Sequence, residues 1–286
     1  MSKVVQRLLV FFIGLPLVIT LVWLPYGNHL AMHLLGLFSS VFAAKELNTM
    51  LGLKFSVHPK PFIVCLDALL PLVGICCALF NCNLYYIDFT FIAIVLIVMA
   101  YETITAQTFE HSVSKIITSI FVIMYCGFFF TFVSKMTLFP NATLYIAFFL
   151  LFVFMCDSLA WFFGVLFGKT NKGFIKASPN KSIAGFLGGI FGSILVGLIG
   201  FYLVPRYLDV VIFGDKVWKV CLLGFFMGLS AIIGDLTESV LKRSVEVKDS
   251  GNMMPGRGGI LDSVDSIVFS APIYYWLIHI LFSVAW

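Results

Sequence analysis

The sequence predicts an all-α polytopic integral membrane protein with about nine transmembrane helices, and three observations carry that prediction. Of the 286 residues, 61% are hydrophobic, only 11% are charged and 32 are phenylalanine. Mean hydropathy is +1.06, and apolar runs close to the ~20 residues that cross a bilayer recur from end to end. Runs such as FFIGLPLVITLVWL and FIAIVLIVMA are apolar on every face. They lack the alternating pattern of an outer-membrane barrel, so the spanning elements are helices.

Spans are expected at 6–24, 30–50, 62–80, 85–104, 116–138, 142–167, 183–204, 217–236 and 264–285. The first follows Lys3 and Arg7 and has no clear small-residue cleavage site, so it reads as a retained helix and not a signal. Asp67 and Glu102 fall near the inner ends of the third and fourth spans, where they read as interfacial charges in water. Asp157 lies inside the sixth, where an ionised carboxylate costs ~2.5–3.5 kcal/mol and calls for a partner or a substrate cavity. In the seventh, Gly185 with Gly189 and Gly188 with Gly192 are small-residue pairs suited to close helix packing. Trp161 and the phenylalanines read as lipid-facing or core residues. No repeat or linker divides the chain, so 1–286 is expected to form a single integral domain.

Charge distribution orients this domain. With the N-terminus inside, all but Lys135, Arg206, Lys216 and Lys219 of the 18 Lys and Arg fall on cytoplasmic segments, and nine spans place the C-terminus outside. The expected location is therefore the cytoplasmic membrane, with the polar inner segments facing the cytoplasm. The net charge of +4 is a vectorial bias that favours the lipid bilayer's anionic head groups, and it gives no sign of nucleic-acid binding. The seven cysteines show no ligand spacing or paired framework and read as buried free thiols.

Chemistry concentrates between Asp235 and Asp265, which holds six carboxylates and four Lys or Arg in an otherwise apolar chain. Asp235, Glu238 and Lys242 follow at i, i+3 and i+7 and share a helical face, and Asp262 and Asp265 repeat the i, i+3 spacing at the start of the ninth span. An antiparallel pairing of the two helices brings up to four carboxylates together. Such close like charges need a cation, and hard oxygen donors favour Mg²⁺, with a second metal ion left open. Lys242, Arg243, Lys248 and Arg257 supply positive charge, while Gly256, Gly258 and Gly259 after Pro255 allow a bulky anion to approach the backbone. Acids for a metal, cations for phosphate and a glycine-rich turn point to phosphoryl or nucleotidyl transfer at a membrane surface.

This stretch resembles the signature of the phosphatidate cytidylyltransferases, approximately S-x-x-K-R-x4-K-D-x-G-x3-P-G-H-G-G-x-x-D-R-x-D. Ser239, Lys242, Arg243, Lys248, Asp249, Gly251, Pro255, Gly256, Gly258, Gly259, Asp262 and Asp265 stand at matching positions. Upstream, DSLAWFFG from Asp157 resembles the family's D-x-x-A-Y-x-x-G, and SPNKSIAGFLGG from Ser178 resembles S-P-N-K-T-x-x-G-F-x-G-G. The likeness covers residues 141–286, which it marks as the catalytic helices and loops, whereas 1–140 match only as apolar helices.

The resemblance implies that CTP and phosphatidate are converted to CDP-diacylglycerol and pyrophosphate, and it also implies a homodimer. It casts Asp235 and Asp262 as principal metal ligands, with Asp265, Glu238 and Asp249 as further ligands or supporting groups. Lys242, Arg243 and Lys248 are cast as phosphate contacts, and Ser178, Asn180 and Lys181 as a loop reaching the triphosphate or lipid head, with Asp157 in the substrate cavity. Two positions depart from the pattern: Arg257 replaces its His and Ser263 replaces its second Arg. Arg257 is expected to supply the guanidinium that Ser263 lacks. The alternatives are a weakened homologue, another CTP-using lipid enzyme such as a polyprenol kinase, and a transporter of anionic solutes.

Overall fold

The computed structural model describes residues 13, 14, 16–256 and 258–284. Residues 16–22 are helical, while Lys3, Arg7, the start of the expected first span and Arg257 lie outside the described residues. The helices that follow are α1 (Tyr26–Leu51), α2 (Lys60–Phe80), α3 (Tyr85–Thr105), α4 (Ser112–Val122), α5 (Phe129–Met136), α6 (Ala142–Phe167), α7 (Ile183–Leu208), α8 (Val217–Ser244) and α9 (Leu261–Phe282). A π-helical turn at Ile123–Phe128 joins α4 to α5 in one span. Eight segments among the described residues are thus long and apolar enough to cross a membrane, and the chain is an integral membrane protein.

Boundaries follow local chemistry. Gly27, Asn28 and His29 take left-handed φ values of 58°, 51° and 62°, so the regular part of α1 begins where the sequence expects it. At the other end of the chain, α8 runs past the expected limit near 236 to Ser244. Glu238, Leu241, Lys242 and Arg243 are good helix formers, and no Gly or Pro intervenes to stop it.

The helices gather into two compact units. One joins α1–α5 to residues 241–264; the other comprises α6, α7, α8 up to Val240 and α9 from Asp265. Helices α8 and α9 each contribute to both.

In the first unit, α1 packs along α2, and two acids depart from the sequence reading. Asp67 is fully buried and accepts a hydrogen bond of 2.6 Å from Ser40 Oγ. Glu102 is also buried: Oε1 accepts from Ser112 Oγ at 2.7 Å and Lys115 Nζ at 3.4 Å, and Oε2 lies 3.0 Å from His58 Nε2. His58 Nδ1 lies 2.7 Å from Ser119 Oγ in turn. Neither acid is an interfacial charge in water. Glu102 is tolerated inside because neighbouring residues supply hydrogen-bond donors in place of water, whereas Asp67 has the one donor on Oδ2 and its Oδ1 is buried without a partner among the described residues.

In the second unit, the glycines of α7 let it lie against α6. A Cβ at Gly188 would come within 2.6 Å of Phe163, one at Gly185 within 2.8 Å of the Ala160 carbonyl, and one at Gly192 within 2.8 Å of the Met155 carbonyl. The packing role expected for these residues is what the structure shows. Trp161 faces outward, 71% exposed. All seven cysteines are free, but only Cys77, Cys126 and Cys156 are buried, whereas Cys65, Cys76 and Cys82 are exposed. Cys65 and Cys76 lie on α2, where the outward face of a membrane helix is itself apolar and a thiol is as well placed as in a core, and Cys82 lies in the turn that follows.

Candidate functional site

In the second unit the acids are positioned by the crossing of α8 and α9. A Cβ on Gly234 would lie 2.8 Å from Phe269 Cβ and 3.0 Å from the Asp265 carbonyl, so the missing side chain is what lets the helices touch at this point. Hydroxyls fix the crossing: Ser266 Oγ donates to the Ala231 carbonyl at 3.1 Å, and Ser230 Oγ donates to Ser270 Oγ at 3.0 Å. Asp265 consequently lies within electrostatic range of Asp235, Glu238 and Asp157. Glu238 and Asp265 are buried, while the Asp235 side chain keeps 37% exposure. Gly234→Val is expected to force the helices apart, costing about 1–3 kcal/mol of stability and most of the activity. Thermal unfolding in detergent with a parallel turnover assay checks this, and an unchanged midpoint with full activity would contradict it.

The loop before α7 delivers a cation to this cluster. Ser182 caps α7 by accepting from the Gly185 N–H at 3.1 Å, and the Ile183 N–H bonds the Asn171 carbonyl at 3.2 Å. A turn in which the Lys181 N–H bonds the Ser178 carbonyl at 3.2 Å then aims Lys181, whose ammonium pairs with Asp235 Oδ2. Asn180 is exposed, Ser178 half-buried, and Asp157 sits exposed on α6. A partly open Lys–Asp pair of this kind can exchange its carboxylate for an incoming phosphate.

The first unit holds the remaining motif residues. Lys242 donates to Asp262 Oδ1 at 2.6 Å, with both side chains largely buried. Asp262 Oδ2 accepts three hydrogen bonds: from the Ser250 N–H at 2.8 Å, Ser250 Oγ at 2.8 Å and the Gly259 N–H at 2.7 Å. Around Pro255, Met254 and Gly258 exchange backbone bonds of 2.7 and 3.1 Å, with Gly256 at φ 74° and Gly258 at φ 107°. Such angles favour glycine. Arg243 donates to the Val247 carbonyl at 3.0 Å, and Lys248 and Asp249 are exposed. Ser263, where the motif has arginine, donates from Oγ to the Gly259 carbonyl at 3.4 Å. Lys54 bonds Glu246 at 2.6 Å and thereby holds that carboxyl below its usual range.

One acid here escaped the sequence reading. Glu46 of α1 accepts from the Ile260 N–H through Oε1 at 3.1 Å, and through Oε2 from the Leu261 N–H at 3.0 Å and Ser250 Oγ at 3.4 Å. It fills space left open by Gly251 and Gly259. A Cβ on Gly251 would stand 2.5 Å from Glu46 Oε1, and one on Gly259 would collide with Glu46 Oε2 and Ser250 Oγ. Of the glycines expected to meet a bulky anion, Gly259 thus already gives its N–H to the Asp262 carboxylate, and the Ile260 and Leu261 N–H groups that follow it meet Glu46.

A family model described as the Cytidylyltransferase family matches residues 5–281. This chain belongs to the Cytidylyltransferase family. Among similar proteins are the phosphatidate cytidylyltransferase of Synechocystis sp., 41% identical over 135 residues (46% of this chain, 42% of that one), and that of Staphylococcus aureus strain COL, 34% identical over 182 residues (64% and 65%). The Staphylococcus epidermidis RP62A protein of the same name is 42% identical over 129 residues (45% and 46%). The matched stretches therefore span about half to two thirds of those relatives' own length. The family match reaches well into the N-terminal helices and includes Glu46, in the region that the motifs left uncharacterised.

The motif residues divide between the units. Asp157, Lys181, Asp235, Glu238 and Asp265 belong to one; Lys242, Arg243, Lys248, Asp249, Asp262 and the glycines belong to the other. Among the described residues no three His, Cys, Asp or Glu side chains converge as a ready metal cage. Carboxylate oxygens are hard donors, the kind that a hard cation such as Mg²⁺ takes.

Proposed function

We propose that this chain is a phosphatidate cytidylyltransferase, joining CTP to phosphatidate at the membrane surface with release of pyrophosphate. What carries the reading is the Cytidylyltransferase match over residues 5–281, inside which the motif acids Asp235 and Asp262 each hold a lysine, Lys181 and Lys242. A phosphate oxygen of the lipid attacks the α-phosphorus of CTP, the bond from that phosphorus to the bridging oxygen breaks, and its electron pair leaves with pyrophosphate. No protein nucleophile is required, because the attacking group is already an anion. The protein's work is to bring anions together and to stabilise the leaving group.

Lys181 and Lys242 are proposed to turn from their carboxylates to substrate phosphates, joined by Arg243, Lys248 and Arg257. Asp157, Ser178 and Asn180 are proposed to line the substrate, and Gly256, Gly258 and Gly259 to shape the turn, with Asp249 supporting it. Asp235, Glu238 and Asp265 are proposed to hold Mg²⁺, which when bound neutralises phosphate charge. The metal-ligand role proposed for Asp262 uses Oδ1, the oxygen that Lys242 now occupies. A second metal ion and a homodimer belong to the same reading on the family resemblance. So does a site on the cytoplasmic face of the inner membrane, with the N-terminus inside and the C-terminus outside, on the bias of positive charge.

Product identity tests this proposal. Purified protein given CTP, Mg²⁺ and phosphatidate is expected to form a CDP-lipid and pyrophosphate. Formation of CDP with a phosphorylated alcohol, or vesicle uptake of an anion without turnover, would replace the reading with a kinase or a transporter.

A further inference from the structure

We infer that Glu46 is a positioning residue that latches the motif loop, at Ser250 and Gly259, and the first turn of α9 to α1. A helix N-terminus leaves several N–H groups without intrahelical partners, and a nearby Ser, Thr, Asn or Asp usually satisfies them. At α9 that work falls to Glu46, which takes the Ile260 and Leu261 N–H groups, while Asp262 takes the Gly259 N–H just before the helix. Glu46 arrives from more than 200 residues away in sequence, and both its oxygens are engaged. Its charge also meets the positive end of the helix dipole.

The shape of the loop depends on this carboxylate. Gly251 and Gly259 leave space that Glu46 enters, and Ser250 bonds both Glu46 and Asp262, so the two acids share one hydroxyl. Asp262 in turn holds Lys242. Removal of Glu46 therefore releases the hydrogen bonds that set where Ser250, Gly259 and Asp262 sit, without touching a group proposed to meet substrate. Glutamine is a sharp probe because it keeps the size of the side chain. Its amide offers one accepting oxygen, so it cannot serve Ile260 on one side and Leu261 with Ser250 on the other.

The latch rests on the nucleotidyl-transfer reading only for its activity readout. Glu46→Gln is expected to lower kcat/KM for CTP by about tenfold and Glu46→Ala by about a hundredfold, mostly through KM, because the loop must be ordered by the nucleotide itself. Amide hydrogen exchange at Ile260 and Leu261 should accelerate by a similar factor in both variants, with thermal midpoints close to wild type. Glu246→Gln, which loses only the exposed pair with Lys54, serves as a control and should leave both readouts unchanged. Gly259→Ala should damage the wild-type background more than the Glu46→Ala background, since the colliding carboxylate is then gone. Unchanged KM and unchanged exchange in Glu46→Gln would overturn the latch, as would strictly additive effects of Glu46→Ala and Gly259→Ala. If wild type makes no CDP-lipid, the functional reading fails, while hydrogen exchange still decides the latch.

Discussion

Replacing Asp235 with asparagine is expected to reduce turnover at least about a hundredfold while the protein remains folded. Position and charge are separable at this residue. Gly234 and the Ser266 and Ser230 hydroxyls fix the crossing of α8 and α9, so the Asp235 carboxylate is not what holds the helices together. Its side chain is 37% exposed and pairs with Lys181, and an asparagine can still accept from that ammonium through its remaining oxygen. What disappears is the negative charge, and with it the means to hold a metal or to return Lys181 after each turnover. Turnover and thermal unfolding measured on the same preparation separate the two effects. A folded variant retaining half its activity or more would remove Asp235 from the machinery.

Asp262→Asn is expected to abolish turnover by a different route. Asp262 Oδ2 accepts three hydrogen bonds while Oδ1 holds Lys242, so both oxygens are fully used. An asparagine must turn its NH₂ either toward the Ser250 and Gly259 donors or toward the lysine. Each orientation sets donor against donor in a largely buried place, at a local cost of about 2–4 kcal/mol. The sequence alone suggests that these acids neutralise charge and do not pack; the structure gives Asp262 a loop-holding role in addition. Lost turnover should therefore come with faster amide exchange at Ser250 and Gly259, which Asp235→Asn leaves protected. Lost turnover with unchanged exchange would return Asp262 to a purely electrostatic role.

The two substitutions illustrate what could be read from residues alone. Helix positions were legible because bilayer-length apolar runs leave little choice, and the ends of α2, α3, α6 and α7 stand within a few residues of their expected places. The motif acids were legible because charge is conspicuous in so apolar a chain. Glu46 was not, since nothing beside it in α1 marks it out and its partners, Ser250, Ile260 and Leu261, become neighbours only on folding. Asp67 and Glu102 were misread for a related reason: nearness to a span end suggests water, but Ser40, His58, Ser112 and Lys115 provide donors inside the protein. Gly256, Gly258 and Gly259 read as room for a substrate anion. At Gly259 that room is taken by the carboxylate of Glu46, which also fills the space beside Gly251.

The fate of the phosphates distinguishes nucleotidyl transfer from phosphoryl transfer. CTP labelled separately at its α and γ phosphorus is supplied with Mg²⁺ and phosphatidate vesicles, and the lipid and aqueous phases are counted. Nucleotidyl transfer predicts α label in the lipid and γ label in pyrophosphate. Label from the γ position in the lipid, with the α label left in soluble CDP, would contradict it.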